Sequence, residues 1–207
     1  MRAKNIFIIL FSLLLTLSCG EDNPPPEPEI IWSLQTGNNW TYVDSLFIRD
    51  SVKVDTVFCE IDSIGNIDYN GELIPVSFLR EEIINDKIQT DSLIKYLYRN
   101  EDDGLYSYGK IIESVDTTYS YISRNLKFKF PVNIGDKWEC NSDTMECISK
   151  DMDFLTPNGS FKCYVYKTND IYYYCVPYVG IVGIIQENRS YEVVYKRLLI
   201  YFNIGEL

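Results

Sequence analysis

From Trp32 to the C-terminus, runs rich in Val, Ile, Tyr, Phe and Thr are broken roughly every 8 to 12 residues by Gly, Asn, Asp or Pro, a spacing typical of short strands. No sustained apolar period of about 3.6 residues accompanies them, so helices have no face to bury. The pattern therefore predicts antiparallel β-structure throughout, with strands over 41–48, 52–61, 73–79, 83–88, 93–98, 105–112, 118–128, 138–140, 146–154, 161–167, 171–176, 181–186 and 192–202. Asn70-Gly71 and Asp103-Gly104 are dipeptides that suit two-residue hairpin turns, where both central residues need positive φ. They argue for a meander. So many sequential strands must close, or nearly close, because long open edges pair with other chains. The expected fold is all-β: one domain, an antiparallel meander curved into an unclosed half-barrel.

The N-terminus reads differently. Arg2 and Lys4 precede Ile6 to Leu17, an apolar run interrupted only by Ser12 and Thr16. This is the pattern of an export signal, and it falls short of the roughly 20 residues that cross a bilayer. Thr16-Leu17-Ser18-Cys19 resembles the lipobox of bacterial lipoproteins, with Thr16 standing where that motif usually has Leu. Residues 1–18 are thus expected to be a cleaved signal and Cys19 the lipidated residue, tethering the mature chain to a membrane. Residues 19–30 form an acidic, proline-rich spacer, GEDNPPPEPEI after the cysteine, and 31–207 the β-domain. Glu21 and Asp22 directly after Cys19 resemble the signal that carries some lipoproteins to the outer surface, so the expected location is the outer membrane, on its surface or periplasmic face.

Cleavage would remove Arg2 and Lys4 and no acid, taking the formal net charge from −11 to −13. Nucleic acid is therefore excluded as a partner, since phosphate binding needs a basic surface.

Gly37-Asn38-Asn39-Trp40 and Gly135-Asp136-Lys137-Trp138 share Gly-[Asn/Asp]-x-Trp. Each reads as a turn that launches a strand, with Trp40 and Trp138 as buried structural anchors, one device used twice and not a duplication. With the segment 130–138, Gly159-Ser160-Phe161 and Tyr172-Tyr173-Tyr174-x-Val176-Pro177-x-Val179-Gly180, these motifs resemble a group of uncharacterised Gram-negative lipoproteins. Members typically have glycine where this chain has Tyr178. The resemblance implies a fold similar to the unclosed β-barrel of the lipoprotein carriers LolA and LolB, curved around an apolar cavity, and no activity.

The chain contains no histidine. That removes Ser-His-Asp and Cys-His catalysis, His-ligated zinc and the usual general base near neutral pH. Acidic pairs such as Glu81-Glu82, Asp102-Asp103 and Asp151/Asp153 read as solvated surface or turn, not a glycosidase site. The run from Asn66 to Gly71 begins like a calcium loop, but Ser77 stands where a bidentate Glu belongs. Neither a catalytic residue nor a metal or cofactor site is expected. Beyond Cys19 there are Cys59, Cys140, Cys147, Cys163 and Cys175. An exported chain permits disulfides. A three-residue loop at 168–170 would set Cys163 opposite Cys175, and Cys140 and Cys147 would close a small hairpin; Cys59, between Val57 and Ile61, reads as a buried thiol.

Tyrosine is abundant at 17 residues, densely so at Tyr164, Tyr166, Tyr172, Tyr173, Tyr174 and Tyr178. These suit sheet surfaces and barrel linings, or an aromatic platform for a sugar. The sequence thus points to a non-catalytic, membrane-anchored lipoprotein that binds an apolar ligand or an envelope protein, with a surface glycan-binding module as the alternative.

Overall fold

The computed structural model describes residues 30–84, 92–190 and 192–205; the signal segment, Cys19 and nearly all of the spacer lie outside this range. Twelve strands follow one another: β1 (Asn39–Ile48), β2 (Ser51–Tyr69), β3 (Glu72–Ile84), β4 (Ser92–Glu101), β5 (Gly104–Ser114), β6 (Thr118–Lys129), β7 (Lys137–Cys140), β8 (Asp143–Thr156), β9 (Gly159–Thr168), β10 (Ile171–Val176), β11 (Gly180–Glu187) and β12 (Val193–Asn203). All pairings are antiparallel, in the order β6-β5-β4-β3-β2-β1-β12-β11-β10-β9-β8-β7. Among the described residues there is no helix. The all-β antiparallel expectation holds, and the sheet curls beyond a half-barrel. The first and last strands pair (Val43 opposite Leu198, Asp44 opposite Arg197), leaving a nearly closed barrel with one unsealed seam between β6 and β7.

The expected break around residues 80–82 is absent: β3 runs unbroken from Glu72 to Ile84. Its charges are absorbed by neighbouring strands, since Arg80 pairs with Glu60 on β2 at 2.6 Å and Glu81 turns inward.

Strands alternate direction, so the turns at 70–71, 102–103, 157–158 and 177–179 gather at one end, with the incoming segment Ile31–Leu34. We call this end the floor and the other the mouth. Ser33 N donates to Tyr178 O (2.8 Å) and the Ser77 hydroxyl to Leu34 O (3.0 Å), fixing the segment across the floor. Tyr178 takes φ +65°, a left-handed conformation that glycine adopts more readily.

The Gly-x-x-Trp echo extends into a structural repeat. Gly37 N donates to Ile61 O (2.9 Å), Ile61 N to Asn38 O (2.9 Å) and Asn38 N to Gln35 O (3.1 Å). In the second half Gly135 N donates to Cys147 O (2.8 Å), Cys147 N to Asp136 O (3.0 Å) and Asp136 N to Asn133 O (3.1 Å). Both glycines have φ +89°, and a ladder irregularity follows each partner, at Ile61/Ser63 and at Cys147/Ser149. The barrel is two six-stranded halves, β1–β6 and β7–β12, each launched by the same turn.

The main core contains Trp32, Trp40, Tyr42, Ile61, Phe128, Phe130, Tyr166, Val182 and Leu199. A smaller cluster of Ile67, Val76, Leu97, Tyr106 and Tyr108 lies on β2–β5. Leu97 sits between the inward Tyr96 and Tyr98, so alternation places this cluster on the outer face.

Neither expected disulfide forms, and all five described cysteines are free and buried. The β9–β10 turn has two residues, not three: Thr168 pairs with Ile171 and Cys175 faces Tyr164. Cys163 is one position out of register, and a slip of one moves a side chain to the other face. Cys140 pairs with Asp143 through the turn at Asn141 and Ser142, whose φ values are +52° and +71°. Cys147 bonds to Asp136, before β7 begins. Four residues therefore separate its level from Cys140, about 14 Å along a strand and beyond the roughly 7 Å that a disulfide spans.

Candidate functional site

The lumen is built by strand alternation. Tyr42 on β1, Cys59 on β2, Leu79 and Glu81 on β3, Tyr96 and Tyr98 on β4, Ile181 and Ile184 on β11, and Tyr195 and Arg197 on β12 face inward, joined from the seam side by Lys127 and Tyr173. They enclose a cavity of about 280 Å³. Trp32, 4% exposed, lies beneath it, its ring edge-on to Trp40 with centroids 5.3 Å apart. Toward the mouth exposure rises from Tyr42 at 2% to Leu46 at 41% and Ile48 at 52% along β1, so the cavity opens there.

One wall carries an ion cluster. Arg197 grips Asp44 through Nε and Nη2, both at 2.8 Å, and donates to Glu81 from Nη1 at 3.0 Å. The Tyr195 hydroxyl donates to Asp44 at 2.8 Å. Burial opposes the guanidinium charge, but the bonds to Asp44 and Glu81 outweigh it and raise its pKa, so Arg197 stays protonated. The fork geometry ties β12 to β1 and, across the lumen, to β3.

Beside this paired cluster lie groups with unused bonding capacity. The hydroxyls of Tyr96 and Tyr98 have no partner among the described residues, and burial raises both pKa values, keeping them as neutral donors. Lys127 Nζ meets the Tyr173 hydroxyl at 3.4 Å and sits 4.6 Å from that ring's centroid, with no carboxylate paired to it among the described residues. The Cys59 thiol donates to Glu81 at 3.7 Å; burial first, then Glu81, push its pKa up, leaving no thiolate at neutral pH.

The residues singled out from sequence fall in several places. Trp40 is fully buried, its Nε1 donating to Val179 O at 2.8 Å; Trp138 is partly buried, its Nε1 donating across the seam to Leu126 O at 3.2 Å. Of the dense tyrosines, Tyr173 lines the lumen, Tyr166 is buried with its hydroxyl on Lys129 O, Tyr164 packs on Phe130 and Tyr174 stacks on Phe154. None of these four is exposed, unlike Tyr119, Tyr121 and Tyr201. Glu81 faces the lumen while Glu82 pairs outside with Arg80; Asp153 is exposed and bonded to Lys162. Cys19 lies outside the described residues. Sequence reading missed Asp44, Arg197 and four of the lumen tyrosines, Tyr42, Tyr96, Tyr98 and Tyr195, although Asp44 lies in phase with Trp40 and Tyr42, and Arg197 with Tyr195 and Leu199. A charge at an inward position was the available signal.

The lumen differs from the continuous apolar cavity that a carrier likeness implies, since Arg197, Glu81 and Lys127 stand in its wall. No known protein family matches the sequence, and no curated protein does. Among solved structures, a protein from Bacteroides fragilis inferred to be exported, with a YmcC-like fold, is similar over 85% of this chain and 100% of its own, at 15% identity and a TM-score of 0.51. A protein from Parabacteroides distasonis inferred to be a lipoprotein aligns over 86% of this chain and 100% of its own, at 11% identity and a TM-score of 0.39. The first likeness places this barrel with YmcC-like folds.

Proposed function

We propose that the mature chain is a lipid-tethered envelope protein, held at the outer membrane through Cys19, that binds one small ligand in its barrel lumen and catalyses nothing. The lumen itself carries this reading: about 280 Å³, floored by Trp32, open at the mouth and lined by hydroxyls without partners. Small-molecule pockets usually measure roughly 300–1,000 Å³, so the space suits a compact molecule more than the acyl chains of a lipid. The tether fits this geometry, because Ile31–Leu34 cross the floor and leave the mouth at the end away from the anchor. The absence of histidine and the protonated state of the lumen thiol and phenols support a binding role over chemistry.

A Leu79→Trp variant would fill the lumen from its wall. Screened by ligand-observed NMR against a library of small organic molecules, the wild type should give hits that the variant loses while keeping its β-sheet circular dichroism. Hits retained in a folded Leu79→Trp protein would place binding outside the lumen and end this reading.

A second reading, docking of an envelope protein, draws on the mouth. Ile48, Val52, Val54, Ile83 and Ile84 are 48–58% exposed there, an apolar rim of a kind that marks interaction surfaces. The dense tyrosines favour the glycan-binding alternative less, since Tyr166 is buried, Tyr173 faces the lumen and Tyr164 and Tyr174 pack on Phe130 and Phe154.

A further inference from the structure

Resting on the lumen-binding reading, we infer that the lumen selects an anion: a small organic carboxylate whose head group is held by Lys127 with the hydroxyls of Tyr173, Tyr96 and Tyr98, and whose apolar body lies against Leu79, Ile181 and Trp32. The cationic and anionic groups in the wall differ in how far they are already used. Arg197 makes four hydrogen bonds to Asp44 and Glu81, so its charge is already met by two carboxylates. Lys127 has no acidic partner among the described residues; its neighbours are the Tyr173 hydroxyl at 3.4 Å and the faces of Tyr173 and Phe128 at 4.6 and 5.8 Å. An ammonium has three donors, so at least two are left for a ligand.

The phenols reinforce the choice. Tyr96 and Tyr98 lie on β4 two residues apart and share the lumen face, and burial holds their hydroxyls protonated. Tyr173 accepts from Lys127, which leaves its own O–H free to donate. The unspent groups can thus donate, and a carboxylate offers acceptors only, so its two oxygens can be met by these donors. A cationic ligand would face Lys127 with no free carboxylate to receive it. Charge-assisted bonds of this kind are roughly twice as strong as neutral ones.

Three probes of one shape separate the possibilities: 4-phenylbutyrate, 4-phenylbutanol and 4-phenylbutylamine, titrated calorimetrically into the full mature protein. The carboxylate should bind at least about tenfold more tightly than the alcohol, and the amine most weakly. Lys127→Gln and, separately, Tyr173→Phe should each narrow the gap between carboxylate and alcohol while leaving alcohol binding in place. Equal binding of carboxylate and alcohol, or preference for the amine, overturns anion selection and leaves lumen binding standing. Failure of all three at millimolar concentration, in a protein folded by circular dichroism, overturns both.

Discussion

Trp40 and Trp138 hold the two halves of the barrel together from opposite sides. Each opens its six-stranded half after a Gly with φ +89°, and each indole N–H donates to a backbone carbonyl of the other half, Val179 O at 2.8 Å and Leu126 O at 3.2 Å. Around Trp138 the seam is bridged by side chains in place of a ladder: the Tyr166 hydroxyl caps Lys129 O at 3.1 Å, and Lys129 pairs with Asp136 at 3.2 Å.

The equivalence in position comes with a difference in burial, so the two truncations should differ. Trp40→Ala removes a fully buried ring and should cost about 3–5 kcal/mol. Trp138→Ala should cost less and preferentially expose the seam, read as faster amide exchange in β7 and the end of β6. Urea denaturation of both variants, followed by hydrogen exchange on the second, checks this; equal losses would show that the seam matters as much as the core.

Arg197 clasps Asp44 and Glu81 from β12, and removing it would strand two carboxylates in the lumen wall. Arg197→Ala should destabilise by about 3–5 kcal/mol, whereas the triple change Arg197→Met, Asp44→Leu, Glu81→Leu should recover much of that loss. Chemical denaturation measures both. Recovery by the triple variant would identify the cluster as a closure device that apolar packing can replace.

Much of this architecture is legible in the sequence because period-two alternation and turn dipeptides act locally; Asn70-Gly71 forms the expected hairpin turn, with both φ values positive. What stayed hidden depends on distance or on a single turn. Arg197 and Asp44 are 153 residues apart, and nothing local joins them. Arg80 to Glu82 read as a break because partners on β2 and β12 supply what water otherwise would. The Cys163 register failed on one residue: Asn169 takes φ +47°, permitting a two-residue turn where three had been expected.

The cysteines give a direct check on that register. All five described thiols are buried, and burial pushes Cys163 up to about 12. A folded Cys19→Ser protein should react negligibly with a thiol reagent at neutral pH and show five reactive thiols once unfolded without reductant. Fewer than five after unfolding would reveal a disulfide.

Acid should act through Glu101. Burial pushes its carboxyl up, but hydrogen bonds from Arg124 and the Tyr108 hydroxyl, each 2.6 Å long, outweigh it, and the pKa falls below the ordinary 4.5. A carboxyl with a lowered folded-state pKa stabilises fully above its unfolded value and loses that contribution as pH drops through the folded one. Wild type should therefore lose more stability than Glu101→Gln between about pH 6 and pH 3. Parallel slopes in thermal melts across that window would contradict the assignment.

The central claim is that the lumen holds a small ligand, and native mass spectrometry of the protein purified from its own envelope tests it most directly. The account predicts a small molecule retained one per chain by the wild type and lost from Leu79→Trp while that variant stays folded. A wild-type protein whose mass is that of the lipidated chain alone, or an adduct equally retained when the lumen is filled, would contradict it.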